Sequence, residues 1–173
     1  MTWWYVVRAS GLVAYALLTA TVVGGLLLST RVLQRRPPPA WMLDWHRFVG
    51  GLAAAGTVLH VAAVWIDDYI DFAVLDLLVP FVSPWRPTAL AFGIVGLYLL
   101  LVIELTSLAR RRMPPHWWRR VHHLSLPALT ASTVHLLMAG EDADEPAVLL
   151  AIGGGAGITV ALAALWLRQL GSG

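Results

Sequence analysis

Five times along the chain, a nearly uninterrupted apolar stretch runs for roughly 18 to 25 residues, the length a helix needs to cross a hydrocarbon core about 30 Å thick. These stretches cover residues 5–29, 43–66, 87–109, 119–139 and 146–167. Prolines 37–39, 80, 84, 87, 114, 115 and 146 fall in the gaps between them, where a missing N–H does least harm. The predicted fold is therefore all-α: a polytopic bundle of five transmembrane helices embedded in lipid, forming one domain over residues 1–173. Composition agrees, because 58% hydrophobic and 13% charged residues leave too little polar surface to coat a soluble globule. The first stretch is too long for a signal peptide and runs into Arg31, Arg35 and Arg36 rather than a small-residue cleavage site, so it is expected to stay in the mature protein. No connection is long enough to fold a second domain, and no repeat of 20 to 50 residues is apparent.

Charge is distributed unevenly over the connections. Arg31, Arg35 and Arg36 follow the first span, and Arg110, Arg111, Arg112, Arg119 and Arg120 lie between the third and fourth. Asp67, Asp68, Asp71 and Asp76 follow the second, and Glu141, Asp142, Asp144 and Glu145 follow the fourth. Arginines near helix ends are retained on the cytoplasmic side, so the amino terminus is expected outside and the carboxy terminus, near Arg168, inside a cell membrane crossed several times. Trp3, Trp4, Tyr5, Trp41, Trp45, Trp65, Trp85, Trp117, Trp118 and Trp166 gather at the predicted ends as an aromatic belt. The outer acidic clusters read as solvated loop charge, although the same field favours a cationic substrate.

Chemistry is narrowed by what the chain lacks. It has no cysteine, which excludes disulfides, thiolate metal sites, iron-sulfur clusters and c-type haem attachment. It has six histidines, and an ionisable residue inside a spanning helix marks function by default. His46 and His60 lie in HRFVGGLAAAGTVLH, fourteen residues apart. That spacing is about 40° short of four turns, so both rings leave one face with about 21 Å of rise between them. Gly50, Ala53, Gly56 and Thr57 lie between them on that face, small enough for a flat macrocycle or a neighbouring helix to come close.

The fourth stretch carries VHHLSLPALTASTVH, in which His122 and His123 precede His135 by thirteen and twelve residues. On a straight helix these spacings miss whole turns by about 140° and 120°, so geometry does not choose between them. Pro127 lies between and permits a kink or local unwinding that could bring two rings onto one face. The second and fourth spans run in the same direction, which puts like-placed histidines at equal depth. Two level pairs follow, an inner one from His46 with His122 or His123 and an outer one from His60 with His135, each able to hold a six-coordinate haem. The competing reading is a haem-free transport or metal-ion-binding protein that uses the same histidines. His116, between Pro115 and Trp117, reads as a loop residue.

With those motifs in view, the chain resembles the ferric reductase transmembrane superfamily, which includes ferric reductases, the membrane core of NADPH oxidases and the haem-bearing partner of a bacterial methionine sulfoxide reductase. The resemblance runs from Arg8 in RASGLVAYALL, through the His46 to His60 segment and RPTALAFGIVGLYLLLVIELTSLARRR, to WWRRVHHLSLPALTASTVH. It implies that His46, His60, His122 and His135 ligate two haem b groups, that His122 rather than His123 is the inner ligand, and that electrons pass from the cytoplasmic side or from quinol to the outer face. Two departures stand out: proline and leucine follow the fourth-span histidines where many members have an aromatic, and Glu104 occupies a usually apolar position. Methionine sulfoxide reductase partners often lack one inner ligand, so the full set here leans towards a reductase-like or oxidase-like core.

Haem propionates need cationic partners, for which arginine offers a planar fork. Arg47, Arg119 and Arg120 are placed for the inner haem, and Arg8 and Arg86 for the outer one. Arg8 is the more telling, because it stands on the outer side against the charge rule. Glu104 is expected to pair with an arginine of the 110–112 run. Full-length reductases carry a flavin and nicotinamide module that is not found here, so the expected donor is a separate flavin reductase or quinol, with an unknown outer acceptor and no nucleic-acid partner.

Overall fold

The computed structural model describes residues 2–33 and 38–171. Arg35, Arg36 and Pro37, which bear on the predicted topology and on the first helix boundary, lie outside the described residues. Helices account for most of the described residues: α1 (Thr2–Thr30), α2 (Pro39–Ile66), the short α3 (Val74–Leu78), α4 (Pro87–Leu108), α5 (Pro115–His122), α6 (Ser125–Ala139) and α7 (Pro146–Gly171). One 3₁₀ turn, Arg110–Arg112, separates α4 from α5. Prolines open α2, α4, α5 and α7, at positions where the absent N–H would have had no helical partner.

Four of these helices, α1, α2, α4 and α7, are long and apolar enough to cross a membrane. Their outward faces carry large apolar side chains such as Phe48, Val58, Leu105, Leu108, Leu150 and Val160, as lipid contact requires. Several hydroxyls inside them bond back to the carbonyl one turn earlier, as Thr21 does to Leu17 and Thr57 to Ala53, which keeps those groups paired in hydrocarbon.

The fourth predicted span is not one helix. It is divided into α5 and α6 at His123 and Leu124. Around the division the backbone bonds shorten to three-residue steps, Leu124 N to Val121 O and Leu126 N to His123 O. Pro127 accounts for this: it has no N–H to give the His123 carbonyl, and its ring crowds that oxygen, so the chain tightens one turn earlier. His116, predicted to be in a loop, falls in the first turn of α5, because Pro115 starts a helix there.

α1 and α2 form an antiparallel hairpin, α4 runs antiparallel to α6, and α7 packs on α1. Leu18, Val22, Leu26, Ala53, Leu100, Leu129 and Leu162 meet in the middle of the bundle. One end of the molecule carries Arg110–Arg112 and is called here the basic end. The other carries Asp67, Asp68, Glu141 and Asp142 and is the acidic end. Asp76 is no solvated charge: it is buried and accepts the Ala73 N–H at 2.9 Å, fixing the start of α3.

Candidate functional site: two facing histidine pairs

Because α2 and α6 run in the same direction, the histidines meet level by level. The His46 and His122 rings lie 6.0 Å apart between centroids at the basic end, and those of His60 and His135 lie 6.4 Å apart at the acidic end. The ring planes of both pairs are inclined at 72°. His123 points elsewhere, edge-on to Trp166 of α7 at 4.9 Å. The tightened turn explains the selection. A few residues wound at about 120° instead of 100° recover roughly 60° of the 140° by which His122 missed the His135 face, and carry His123 further off it.

Each ring is oriented from behind. His46 Nδ1 lies 3.0 Å from Thr21 O and His60 Nδ1 3.0 Å from Val7 O, both on α1; His135 Nδ1 lies 2.8 Å from Ala89 O on α4. A carbonyl only accepts, so Nδ1 carries the proton in all three, which in the neutral ring leaves the Nε2 lone pair free to coordinate. His122 is held differently, stacked on Trp118 at 4.9 Å with its Nδ1 buried and unpartnered. Arg110 lies over the other ring of this group, 4.5 Å from the Trp118 centroid. The carbonyls of Val7 and Thr21 and the ring of Trp118 escaped the sequence reading. A signal for the first two was present, since Val7 and Thr21 are fourteen residues apart, like the histidines they hold.

The spacing suits one metal ion between two rings. Two metal–imidazole bonds of about 2 Å, with about 1 Å more from each nitrogen to its ring centre, put the centroids about 6 Å apart. Among the described residues no group of three or more His, Cys, Asp or Glu side chains comes together, so each level offers two protein ligands and no more. Two facing imidazoles with no third side chain suit a planar macrocycle that brings its own four donors. A cavity of about 260 Å³ with apolar walls runs between the helices at the acidic end and is lined by His60, His135, Leu90 and Ile94.

The predicted anion partners are scattered. Arg8 lines that cavity and is bound by a two-pronged ion pair to Asp142, with Nε 2.9 Å from Oδ2. Trp4 donates to Glu141 at 3.0 Å beside it, and Arg8 lies over the Trp4 ring. The guanidinium holds the Asp142 carboxyl below the ordinary carboxylate range. Arg86 reaches the last turn of α6, with Nη1 2.8 Å from Met138 O. At the basic end Arg47 faces Asp44 at 3.7 Å in solvent, and Arg119 folds back towards Pro115 O. Glu104 makes no ion pair with the 110–112 arginines, contrary to expectation. α4 ends at Leu108 before they begin, and the Glu104 carboxyl instead faces α2 at Gly50. The small face of α2 receives α1, with Gly56 against Ala14 and Gly50 against Thr21.

A membrane helical bundle with two levels of facing imidazoles is the class these features define. The family model for the ferric reductase like transmembrane component matches residues 10–133, more than half of the chain. The chain belongs to that family. No curated protein and no solved structure matches it.

Proposed function

We propose that this chain carries electrons across a cell membrane by means of two b-type haems, one held by His46 and His122 and the other by His60 and His135. The reading rests above all on the two level pairs, whose Nε2 lone pairs are freed by Nδ1 bonds to backbone carbonyls at three of the four rings. Haem bound at each level supplies a one-electron ferric/ferrous couple. The residues do the rest: four imidazoles fix position, the apolar core between the levels excludes water, and arginines meet the anionic edges. At the acidic end Arg8 and Arg86 serve, Arg8 having N–H donors beyond the two it gives Asp142. At the basic end Arg47 and Arg119 serve.

By the arginine rule the basic end is cytoplasmic. The α5 and α6 pair then forms a fifth, broken crossing, with the amino terminus outside and the carboxy terminus inside. A reductase or quinol feeds the basic end, and an acceptor takes electrons at the acidic face. Two protein ligands per level leave no open position on a bound iron, so the acceptor meets the site from outside. Purified protein is expected to hold close to two haems per chain, with a split reduced α-band. Steeply inclined imidazole planes are expected to give a highly anisotropic low-spin ferric resonance. Bound zinc or copper without a Soret band would favour a transport or ion-binding protein instead.

A further inference from the structure

The three carbonyls that orient histidines share a neighbour. Four residues after each accepting residue stands a glycine: Gly11 after Val7, Gly25 after Thr21, and Gly93 after Ala89. Helical side chains lean towards the amino terminus, so the residue at i+4 covers the carbonyl of residue i. Without a β-carbon there, a second donor can reach that oxygen from the side. The histidine rings lie against these glycines. A β-carbon added at Gly93 would sit 2.8 Å from His135 Nδ1, at Gly11 3.0 Å from His60 Cε1, and at Gly25 3.2 Å from His46 Cε1. The ring is the nearest neighbour in every case, whereas Gly56 meets Ala14 of a packed helix and Gly51 meets nothing within 4 Å.

We infer that Gly11, Gly25 and Gly93 are positioning residues, each forming with the carbonyl one turn earlier a seat that fixes the tautomer and plane of one histidine. The seat recurs on α1 at the fourteen-residue spacing of His46 and His60, and once on α4 for His135. It is missing for the fourth ring: fourteen residues beyond Gly93 stands Ser107, whose buried hydroxyl, like His122 Nδ1, has no partner. The link from ring plane to haem rests on the function proposed above, but the seat itself does not.

The test uses the purified full chain and its Gly93→Ala, Gly11→Ala and Gly25→Ala variants. Gly24→Ala is a more crowded control, because its β-carbon would press on the Trp45 ring at 2.5 Å rather than on a histidine, and Gly51→Ala is a control with open space. Histidine side-chain ¹⁵N resonances of haem-free protein report the tautomer, and ferric resonance with redox titration reports each centre in loaded protein. Loss of the Nδ1–H form is expected at His135, His60 and His46 respectively, with altered g-values at the acidic-end centre alone for the first two. Gly25→Ala should alter the basic-end centre alone and least, and as the loosest fit it is the variant that keeps its fold. The controls should leave tautomers and g-values unchanged even where Gly24→Ala lowers the melting temperature. Wild-type tautomers and g-values in all three variants, or the same changes in Gly24→Ala, would overturn the seats. A colourless wild type with the expected tautomers would overturn the haem reading and leave the seats standing.

Discussion

Of the two adjacent histidines where α5 ends, His122 faces His46 and His123 faces Trp166, which gives each a separate fate on substitution. His122→Ala is expected to remove the basic-end haem and spare the other, and His60→Ala to do the reverse. His123→Ala should leave both, as pyridine haemochrome and reduced spectra of each variant would show. Asp142 offers a second reading by pH. Its carboxyl is held below its ordinary value by Arg8, so the ion pair adds stability above the unfolded value of about 4 and loses it as pH falls through the lower folded value. Thermal unfolding of wild type should weaken over that acid range, and Asp142→Asn should lack this component. The sequence made the histidines legible because ionisable residues stand out in apolar helices. It hid their carbonyl partners because any residue type supplies a carbonyl, and only the glycine one turn on carries a trace of it.

Helices α1, α2, α4 and α7 could be read from apolar length alone, since nothing in hydrocarbon competes with the helix for the backbone bonds. The division between α5 and α6 could be half read. Pro127 announced a disturbance, but its place one turn earlier depends on which carbonyl the ring displaces. That place decides which histidine turns inward. Pro127→Ala restores the missing N–H and should allow α5 and α6 to merge, swinging the His122 ring away from His46. Haem content is then expected to fall from about two to about one per chain, with the acidic-end spectrum retained, while a straightened helix that still holds both haems would show the turn to be incidental.

The molecule as a whole is polarised, with the Arg110–Arg112 run at one end and most of the carboxylates at the other. A chain without cysteine makes this directly testable, because Asp68→Cys and Arg111→Cys each introduce a lone thiol. An impermeant maleimide applied to intact cells should label the first and not the second until the membrane is opened. A subtler inequality lies within. Both rings at the acidic end give their Nδ1–H to a carbonyl, whereas at the basic end only His46 does. An imidazole that shares its proton becomes the more basic ligand, and a basic ligand favours the more oxidised metal. With haem at both levels, as proposed, redox titration is expected to find the higher of two midpoints at the arginine side, where an electron would come to rest. In the proposed direction of transfer, release at the far surface would then depend on the pull of the acceptor there, with no downhill slope supplied by the ligands themselves.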